Sequence, residues 1–469
     1  MNARQPEIKV AIDSQISPKT AGGTETALLG LLLALQGLSG GERFLLLGLK
    51  GYDHELTPFI GANMEKIVWP DSYRWFDPAI DGKESKSIRW RRFQSMLGPI
   101  GGVVDLYHRC LAYKNTPMTP KAIRIAQWFG PLKSLVPPAY RLFRGIHQEA
   151  NRPMLAANAD RLLKAQGVSV VHFPYPLHFE TRLPFVYEPW GLPHHHQAEC
   201  FRPGEAAWMD RLFGHGCREA AMVVTATRWV KRDIIAKYGI AEERIAVIPR
   251  LPRVDSAGRF MPDEEALAGL PTSFALFPSA TWVTKNHIRL IRAIAALRDK
   301  HGVRLDLVCT GRTDTPESHK IEDEIRLRGL QDQIRFLGVV PVERLNTLFR
   351  RANFLIHPSI FEGLGLPLLE AFYHGLPVVA SRAACIPETV GDAALLFNPF
   401  DEADICRVLL DVMQKPGLLD ILRERGPRRL AEDYPDSATV AQMFNTVYRH
   451  ACGAPLSGEQ AILLAEMLG

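Results

Sequence analysis

The chain has 469 residues, 46 % of them hydrophobic, and this length and apolar share predict at least two folded domains. Its formal net charge of +5 is too small a basic excess to indicate a nucleic-acid-binding protein. Seven scattered cysteines without a Cys-x-x-Cys pair exclude a disulfide framework or zinc knuckle and indicate thiols in a reducing cytoplasm.

The sequence also bears on membrane contact. The amino-terminal residues carry no signal pattern, and the longest apolar run, 27–35, is shorter than the ~20 residues that span a bilayer. We therefore expect a cytoplasmic protein with no membrane-crossing segment. The cationic and aromatic stretch "SIRWRRFQSMLG" at 87–98 fits either peripheral contact with an anionic membrane or a solvated helix face.

The first half of the chain alternates apolar strands with helical patterns. Strands are predicted at 8–13, 44–49, 168–174, 220–227 and 244–249, and helices at 26–38 and 232–239. Such alternation is typical of a parallel sheet wrapped by helices.

A second alternating series follows a polar, proline-containing linker at 250–265. Strands are predicted at 273–279, 304–311, 334–338, 353–359 and 377–381, and helices at 287–302, 317–329 and 342–352. The fold class is therefore α/β with two Rossmann-like domains.

The domain boundaries follow from these patterns. We assign residues 1–250 to an N-terminal domain with a helical insertion near 82–165, and 251–435 to a C-terminal domain. Residues 436–469 are predicted to be a helical segment that returns to the N-terminal domain.

Two glutamates bracket a glycine turn in "FEGLGLPLLEAFYHGLPVVAS", residues 361–381. Glu362 follows a predicted strand, at the sheet edge where open α/β folds bind ligands. The glycines of the turn allow a close approach to a phosphate at the N-terminus of the helix that begins near Pro367. Glu370, one turn into that helix, could accept both hydroxyls of a ribose. Alternatively, Glu362 is a charged residue on a surface loop, and Glu370 forms an ordinary i,i+4 pair within its helix.

The segment around this turn, residues 336–401, resembles the C-terminal half of glycosyltransferase family 4. The resemblance rests on EGxGxP, EA, GxPVVAS and PE around two glutamates in the E-x7-E spacing, Glu362 and Glu370, and it continues weakly upstream to "GGTET". It implies a GT-B fold, two facing Rossmann-like domains, and transfer of a sugar from a nucleotide donor with retention of configuration. The donor-binding residues it implies are Gly363, Leu364, Gly365, Leu366 and Glu370.

Lys285 begins a helix after a strand, in "PSATWVTKN". A cation there stabilises the charge that grows on a departing diphosphate. The resembled family usually has an arginine five or six residues earlier, where this chain has Ala280 and Ser279, and we expect Ser279 to contact the donor. Arg312 could supply the missing charge, or it is a surface arginine.

Residues of the first half complete the predicted site. Gly22 and Gly23, in the first strand-to-helix loop, allow the backbone to approach the donor or acceptor. The segment "YEPWGLPHHHQAECF" resembles an acceptor-side Trp-Asp-Leu-Gln-His pattern, with Gly191 and Pro193 in place of Asp and Gln. His194 could therefore contact the transferred sugar or the acceptor. Its two histidine neighbours also allow a metal interpretation, which we disfavour because consecutive side chains point apart.

The resemblance implies a retaining glycosyltransferase, with Glu362, Lys285 and His194 as catalytic residues and no metal or cofactor. The pattern around Lys285 is similar to that of bacterial mannosyltransferases of surface polysaccharide assembly, which implies GDP-mannose as the donor and a glycan or lipid-linked glycan as the acceptor. Alternatives are a non-catalytic nucleotide-sugar-binding or scaffold protein and a GT-B nucleotide-sugar epimerase. A dehydrogenase is disfavoured because no Gly-x-Gly-x-x-Gly follows a strand.

Overall fold

The computed structural model describes residues 6–15, 23–38, 41–49, 51–70, 156–251 and 267–469. Most of the predicted linker, from 252 onward, and most of the predicted helical insertion, including the cationic stretch 87–98, lie outside these ranges. The described residues fall into two compact units, of which the smaller contributes 156–163 and 179–182. In the smaller unit Asp160 accepts hydrogen bonds from the Thr181 hydroxyl and the Arg182 amide.

The larger unit contains two parallel sheets, as the alternating sequence predicted. The first has the order β3-β2-β1-β4-β5-β6-β7. Its strands are β1 (Lys9–Ser14), β2 (Arg43–Gly48), β3 (Met64–Val68), β4 (Val170–Phe173), β5 (Phe185–Tyr187), β6 (Met222–Thr225) and β7 (Ile245–Val247). Its helices are α1 (Gly23–Gln36), α2 (Glu205–Glu219) and α3 (Arg228–Tyr238).

The second sheet has the order β10-β9-β8-β11-β12-β13, again all parallel. Its strands are β8 (Ala275–Pro278), β9 (Leu307–Thr310), β10 (Ile334–Phe336), β11 (Phe354–His357), β12 (Val378–Ser381) and β13 (Ala394–Phe397). Its helices are α4 (His287–His301), α5 (Ser318–Arg328), α6 (Val342–Arg351), α7 (Leu366–Tyr373), α8 (Ile386–Val390), α9 (Glu402–Gln414) and α10 (Leu418–Asp433).

Three strands were not predicted from the sequence: β3, β5 and β13. Strand β5 has only three residues and lies between prolines, and β3 is an edge strand with two charged residues. A strand of three residues is too short to show a period, and edge strands such as β3 and β13 are only partly buried.

Two final helices, α11 (Ser437–Ala451) and α12 (Gly458–Leu468), pack on the first sheet rather than the second. Phe444, Val447, Leu464 and Met467 belong to the same apolar core as β1, β2 and α1. The second sheet has separate cores on its two faces, so each sheet is a Rossmann-like domain with its own interior.

Strand order locates the ligand-binding edge of the second sheet. From β8 the chain proceeds outward to β9 and β10, then returns to the other side of β8 with β11, β12 and β13. Ligands of open α/β sheets bind at the carboxyl ends of the strands where the order reverses, which here are β8 and β11.

No helix in the described part of the chain is both long enough and apolar enough to span a membrane.

Candidate active site

Lys285 lies in the loop that follows β8, immediately before α4. Asn286 caps this helix in the left-handed conformation, with φ 63°. Its side-chain amide donates to the carbonyls of Pro358 (3.1 Å) and Pro399 (2.8 Å), which follow β11 and β13. Asn286 therefore ties three loops together at the carboxyl edge of the sheet and holds the backbone from which Lys285 extends.

Glu362 lies in the loop after β11 and faces Lys285. The Lys285 ammonium donates to Glu362 Oε1 at 2.6 Å, and Nε2 of the buried His357 lies 3.0 Å from the same oxygen. Burial alone raises the pKa of the Glu362 carboxyl, but the Lys285 charge and the His357 hydrogen bond outweigh it and hold that pKa below its usual range. Glu362 is therefore an anion at neutral pH, as the predicted role requires.

The glycine turn continues from Glu362 into α7. Gly365 caps α7 with φ +84°, and no side chain caps this helix N-terminus. The Leu364 side chain is buried in the core. Gly363 is required for another reason: a Cβ there would lie 1.9 Å from the carbonyl oxygen of Trp190 in the first domain. The turn is therefore closely packed between the two domains, with the positive end of a helix dipole beside it.

Glu370 is the fifth residue of α7, as the sequence predicted, and its carboxyl is half-buried. Within the described ranges, no ion pair or side-chain hydrogen bond satisfies it. Burial raises the pKa of Glu370 to about 7. An unpaired, half-buried carboxylate is costly for folding and marks a candidate ligand contact.

This raised pKa predicts a pH-dependent stability. Because the pKa of Glu370 rises from 4.5 to about 7 on folding, the folded chain binds more protons than the unfolded chain in that window, and stability falls as the pH rises through it. Glu370→Gln is therefore expected to raise the midpoint of thermal unfolding more at pH 8 than at pH 5. Glu424→Gln, an exposed control, should show no such difference, and an equal effect of Glu370→Gln at both pH values would contradict the prediction.

Of the two glycines predicted to line the site in the first domain, the structure describes one. Gly22 lies outside the described residues, whereas Gly23 is the first residue of α1. A Cβ on Gly23 would meet no atom within 4 Å. Its role in a close backbone approach to a ligand remains a prediction.

Ser279 directly follows β8, and its hydroxyl contacts the carbonyl of Ala280 at 3.4 Å. The structure adds Gly311, which the sequence reasoning missed. A Cβ on Gly311 would lie 2.7 Å from the Ala280 amide nitrogen, so this glycine lets the loops after β8 and β9 touch. Arg312 pairs with the exposed Asp314 at 2.9 Å, which matches the surface-arginine interpretation.

His194 does not join the cluster of Glu362 and Lys285. It lies in a short helical turn, Pro193–His196, and its side chain is buried within the first domain. Nε2 of His194 lies 3.1 Å from the Tyr238 hydroxyl, and burial lowers the pKa of His194 to about 4. His196, two residues further along the same turn, faces Phe361 of the second domain instead.

The histidine segment also corrects the argument against a metal. The rings of His194 and His195 do not point apart: their centroids lie 4.5 Å apart, and their Nε2 atoms are 3.9 Å and 2.8 Å from the same oxygen of Asp210. These three residues could hold a metal ion. Hydrogen bonds already account for their arrangement, and the absence of a metal requirement stays a prediction.

Gly191, which replaces the aspartate of the resembled pattern, has a structural explanation. Trp190 and Gly191 both have positive φ, 62° and 110°. A Cβ on Gly191 would lie 3.1 Å from Phe361 Cε1, in a backbone conformation that favours glycine. The segment 189–191 therefore forms a tight strap against the start of the glycine turn.

Glu388, of the Pro-Glu pair in the motif, has a role that the sequence did not reveal. Its carboxylate accepts hydrogen bonds from the backbone amides of Arg228 (2.6 Å) and Trp229 (2.7 Å) at the N-terminus of α3. A carboxylate at this position satisfies orphan amides and complements the helix dipole. Glu388 thus caps a helix of the other domain.

A buried network of hydrogen bonds holds Glu188, the residue that precedes the strap 189–191. Arg250 donates two hydrogen bonds to the Glu188 carboxylate, which also accepts from His172 Nε2 at 2.8 Å. Because a carboxylate only accepts, Nε2 carries the proton and Nδ1 accepts from the Tyr448 hydroxyl at 2.8 Å. Burial lowers the pKa of His172, consistent with a neutral ring. The buried network links β4, β5, the start of the linker and α11.

Comparison with known proteins agrees with this architecture. The family model "Glycosyltransferase Family 4" matches residues 104–251, and "Glycosyl transferases group 1" matches 271–429. The chain is 31 % identical over 309 residues to D-inositol 3-phosphate glycosyltransferase of Salinispora arenicola, covering 58 % of this chain and 67 % of that protein. The chain belongs to glycosyltransferase family 4.

A second curated relative is similar over a shorter stretch of the chain. O-antigen chain mannosyltransferase B of Escherichia coli is 28 % identical over 229 residues, covering 47 % of this chain and 58 % of that protein. The chain therefore spans little more than half the length of this curated relative.

The fold has close structural neighbours. A crystal structure of HepE from Anabaena, in complex with UDP and glucose, superposes with a TM-score of 0.58 at 15 % identity, covering 94 % of this chain and 99 % of HepE. Such neighbours are GT-B glycosyltransferases, which confirms the predicted fold.

Proposed function

We propose that this chain is a retaining glycosyltransferase that moves a hexose from a nucleoside diphosphate sugar to a glycan or glycolipid acceptor in cell-surface polysaccharide biosynthesis. The observation that carries the proposal is the Lys285–Glu362 pair at the carboxyl ends of β8 and β11, beside the glycine turn and the N-terminus of α7. Mannose from GDP-mannose is the proposed donor, since the pattern around Lys285 and the O-antigen mannosyltransferase relative favour it. The proposed location is the cytoplasm, at the inner face of the membrane when the acceptor is lipid-linked.

The proposed reaction assigns a role to each group. The donor diphosphate lies against the α7 N-terminus and Lys285, which stabilise the charge that grows as the bond between C1 and the phosphate oxygen breaks. The acceptor hydroxyl attacks C1 on the same face, and its proton passes to the departing phosphate oxygen. The products are the glycoside and the nucleoside diphosphate. Glu362 holds Lys285 in place and faces the sugar, and Glu370 accepts the ribose hydroxyls.

Catalysis is favoured over a purely binding or scaffold role because a lysine and an ionised glutamate meet at the strand ends. A binding protein needs the unpaired Glu370 and the helix N-terminus, but it gains little from burying an additional ion pair there. No observation favours an epimerase.

A screen of nucleotide sugars tests the proposal. A ligand at ~100 times its dissociation constant adds about 2.7 kcal/mol to the folding stability, so GDP-mannose should raise the midpoint of thermal unfolding. Release of GDP should then accelerate when an α-linked mannoside acceptor is added. If no nucleoside diphosphate sugar either stabilises the protein or is turned over, the proposal fails.

Donor affinity should depend on Glu370. Charge-assisted hydrogen bonds of ~1.5–3 kcal/mol correspond to roughly 10- to 150-fold, so Glu370→Ala is expected to raise the donor KM by that factor. Its bonds to the ribose would exist equally in the ground and transition states, and kcat should change little. An unchanged donor KM in steady-state kinetics would show that Glu370 does not hold the ribose.

Transfer should not require a metal ion. Lys285, the glycine turn and the α7 N-terminus together supply the positive field that other folds obtain from a divalent cation. Activity measured after treatment with EDTA is therefore expected to equal that of the untreated protein. Loss of activity that manganese restores would contradict this account, and His194, His195 and Asp210 would then be the first residues to substitute.

A further inference from the structure

A cleft adjoins the loop that carries Glu362 but contains none of the proposed donor contacts. It has a volume of about 240 Å³ and is lined by residues of both domains. We call it the aromatic cleft and define it by six of its lining residues: His196, Trp229, Phe361, Arg382, Asn398 and Phe400. Pockets for drug-sized ligands occupy ~300–1,000 Å³, so this volume suits a single sugar ring rather than a nucleotide sugar.

Aromatic rings form much of the cleft. Phe361 stacks on His196 with centroids 5.5 Å apart, and Trp229 lies 5.4 Å from His196 and 5.8 Å from Phe361. On the other side, Phe400 keeps 54 % of its surface exposed, with the Arg289 guanidinium 5.4 Å from its ring. A pyranose ring presents a face of C–H groups that packs on such aromatic surfaces, while its hydroxyls point outward to polar groups.

The polar groups of the cleft complement hydroxyls. Both carboxylate oxygens of Asp233 lie 2.9 Å from His196 Nε2, so that nitrogen carries a proton and donates to Asp233. Asn398 Oδ1 accepts from the Phe400 amide, which leaves the Asn398 side-chain NH₂ group as a donor. Arg382 is exposed and forms no ion pair with another described residue. The hydrogen-bond donors of Asn398 and Arg382 thus line the same cleft as the aromatic rings.

The backbone of the cleft is held in an uncommon conformation. Ala384, which also lines the cleft, has φ +47°, although it is not a glycine. Within the described ranges the other non-glycine residues with positive φ are Trp190 and Asn286, which border the glycine turn and Lys285. Strained backbone of this kind clusters at ligand sites, where the surrounding structure holds it in place.

The position of the cleft indicates which sugar it would hold. Phe361, which lines the cleft, directly precedes Glu362, so a sugar ring in the cleft would lie next to the catalytic loop. Lys285, Glu370 and the α7 N-terminus do not line the cleft, so the contacts proposed for the donor diphosphate and ribose lie outside it. Resting on the proposed function, we propose that the aromatic cleft binds a pyranose residue of the acceptor glycan.

A binding measurement tests this without requiring catalysis. Saturation-transfer NMR with α-mannobiose as the probe should show contact with the wild-type protein, and Phe400→Ala and Arg382→Ala should each weaken the signal at least fivefold. Both side chains are exposed, so the variants should fold, and their unfolding midpoints check this. Tyr52→Ala, an exposed aromatic outside the cleft, is the matched control and should retain the full signal.

Addition of GDP tests whether the proposed donor site and the aromatic cleft are independent. GDP should bind without displacing α-mannobiose, because the proposed phosphate groups lie outside the cleft. Absence of α-mannobiose binding, displacement by GDP, or an undiminished signal in both cleft variants would overturn the acceptor assignment. If α-mannobiose binds as expected but no nucleoside diphosphate or nucleotide sugar does, the proposed transferase function fails while the sugar site stands.

Discussion

Lys285→Ala and Glu362→Ala are each expected to lower kcat by ~10²-fold or more, as the loss of one electrostatic donor does in other enzymes. Both groups are proposed to act on charge and sugar geometry that develop only as the glycosidic bond breaks, so donor affinity should change less than kcat. The structure strengthens this expectation because the two side chains share one contact of 2.6 Å. Each substitution therefore also removes the partner that positions the other.

Steady-state kinetics with varied donor provides the measurement. Lys415→Ala is the matched control, since it removes a lysine that pairs with a carboxylate, Asp411 at 3.0 Å, on the exposed surface of the same domain. The control should keep wild-type kcat and KM. The double variant Lys285→Ala/Glu362→Ala should lose far less than the product of the single effects, because contacting residues are not additive. Near-full kcat in either single variant would remove the proposed chemistry from this site.

Glu188→Gln is expected to destabilise the first domain by ~3–5 kcal/mol, the usual cost of removing one partner of a buried ion pair. The substitution leaves the Arg250 guanidinium buried without its counter-charge and deprives His172 of its carboxylate acceptor. The side chains of Arg250 and Glu188 are only 7 % and 3 % exposed, so water cannot compensate. Thermal unfolding followed by circular dichroism should show the lowered midpoint.

Removing both charges separates the cost of leaving Arg250 buried and unpaired from the net contribution of the ion pair to stability. Glu188→Gln/Arg250→Met should recover part of the lost stability, since no unpaired charge then remains buried. Arg423→Met, which breaks the exposed pair with Asp420, is the control and should leave the midpoint nearly unchanged. A single Glu188→Gln variant as stable as the wild type would show that the buried network contributes little.

The strap 189–191 connects the buried network with the glycine turn of the candidate active site. Glu188 is followed by the strap 189–191, and the Trp190 carbonyl packs against Gly363 of the glycine turn. The Thr227 hydroxyl also donates to the Gly363 carbonyl at 3.2 Å. The network therefore holds a segment of the first domain that packs directly against the glycine turn of the second domain.

The sequence by itself determined the fold class and the local part of the site. Alternation of apolar strands with helical patterns predicted two parallel sheets, because strands buried on both faces are apolar throughout. The spacing of Glu362 and Glu370 across a glycine turn placed one carboxylate at a strand end and the other one turn into a helix, since both positions depend only on nearby residues. The place of Lys285, between a strand and the start of a helix, followed for the same reason.

Only the tertiary structure decided which distant segments meet. It turned His194 into the first domain and His196 toward Phe361, because residues two apart on a helical turn point roughly 200° apart, in nearly opposite directions. It brought Glu388 to the N-terminus of α3, about 160 residues away in the chain, and the carbonyl of Trp190 to Gly363. Such contacts depend on how two separately folded sheets approach each other. The periodicity of a single segment carries no information about which distant segments come together.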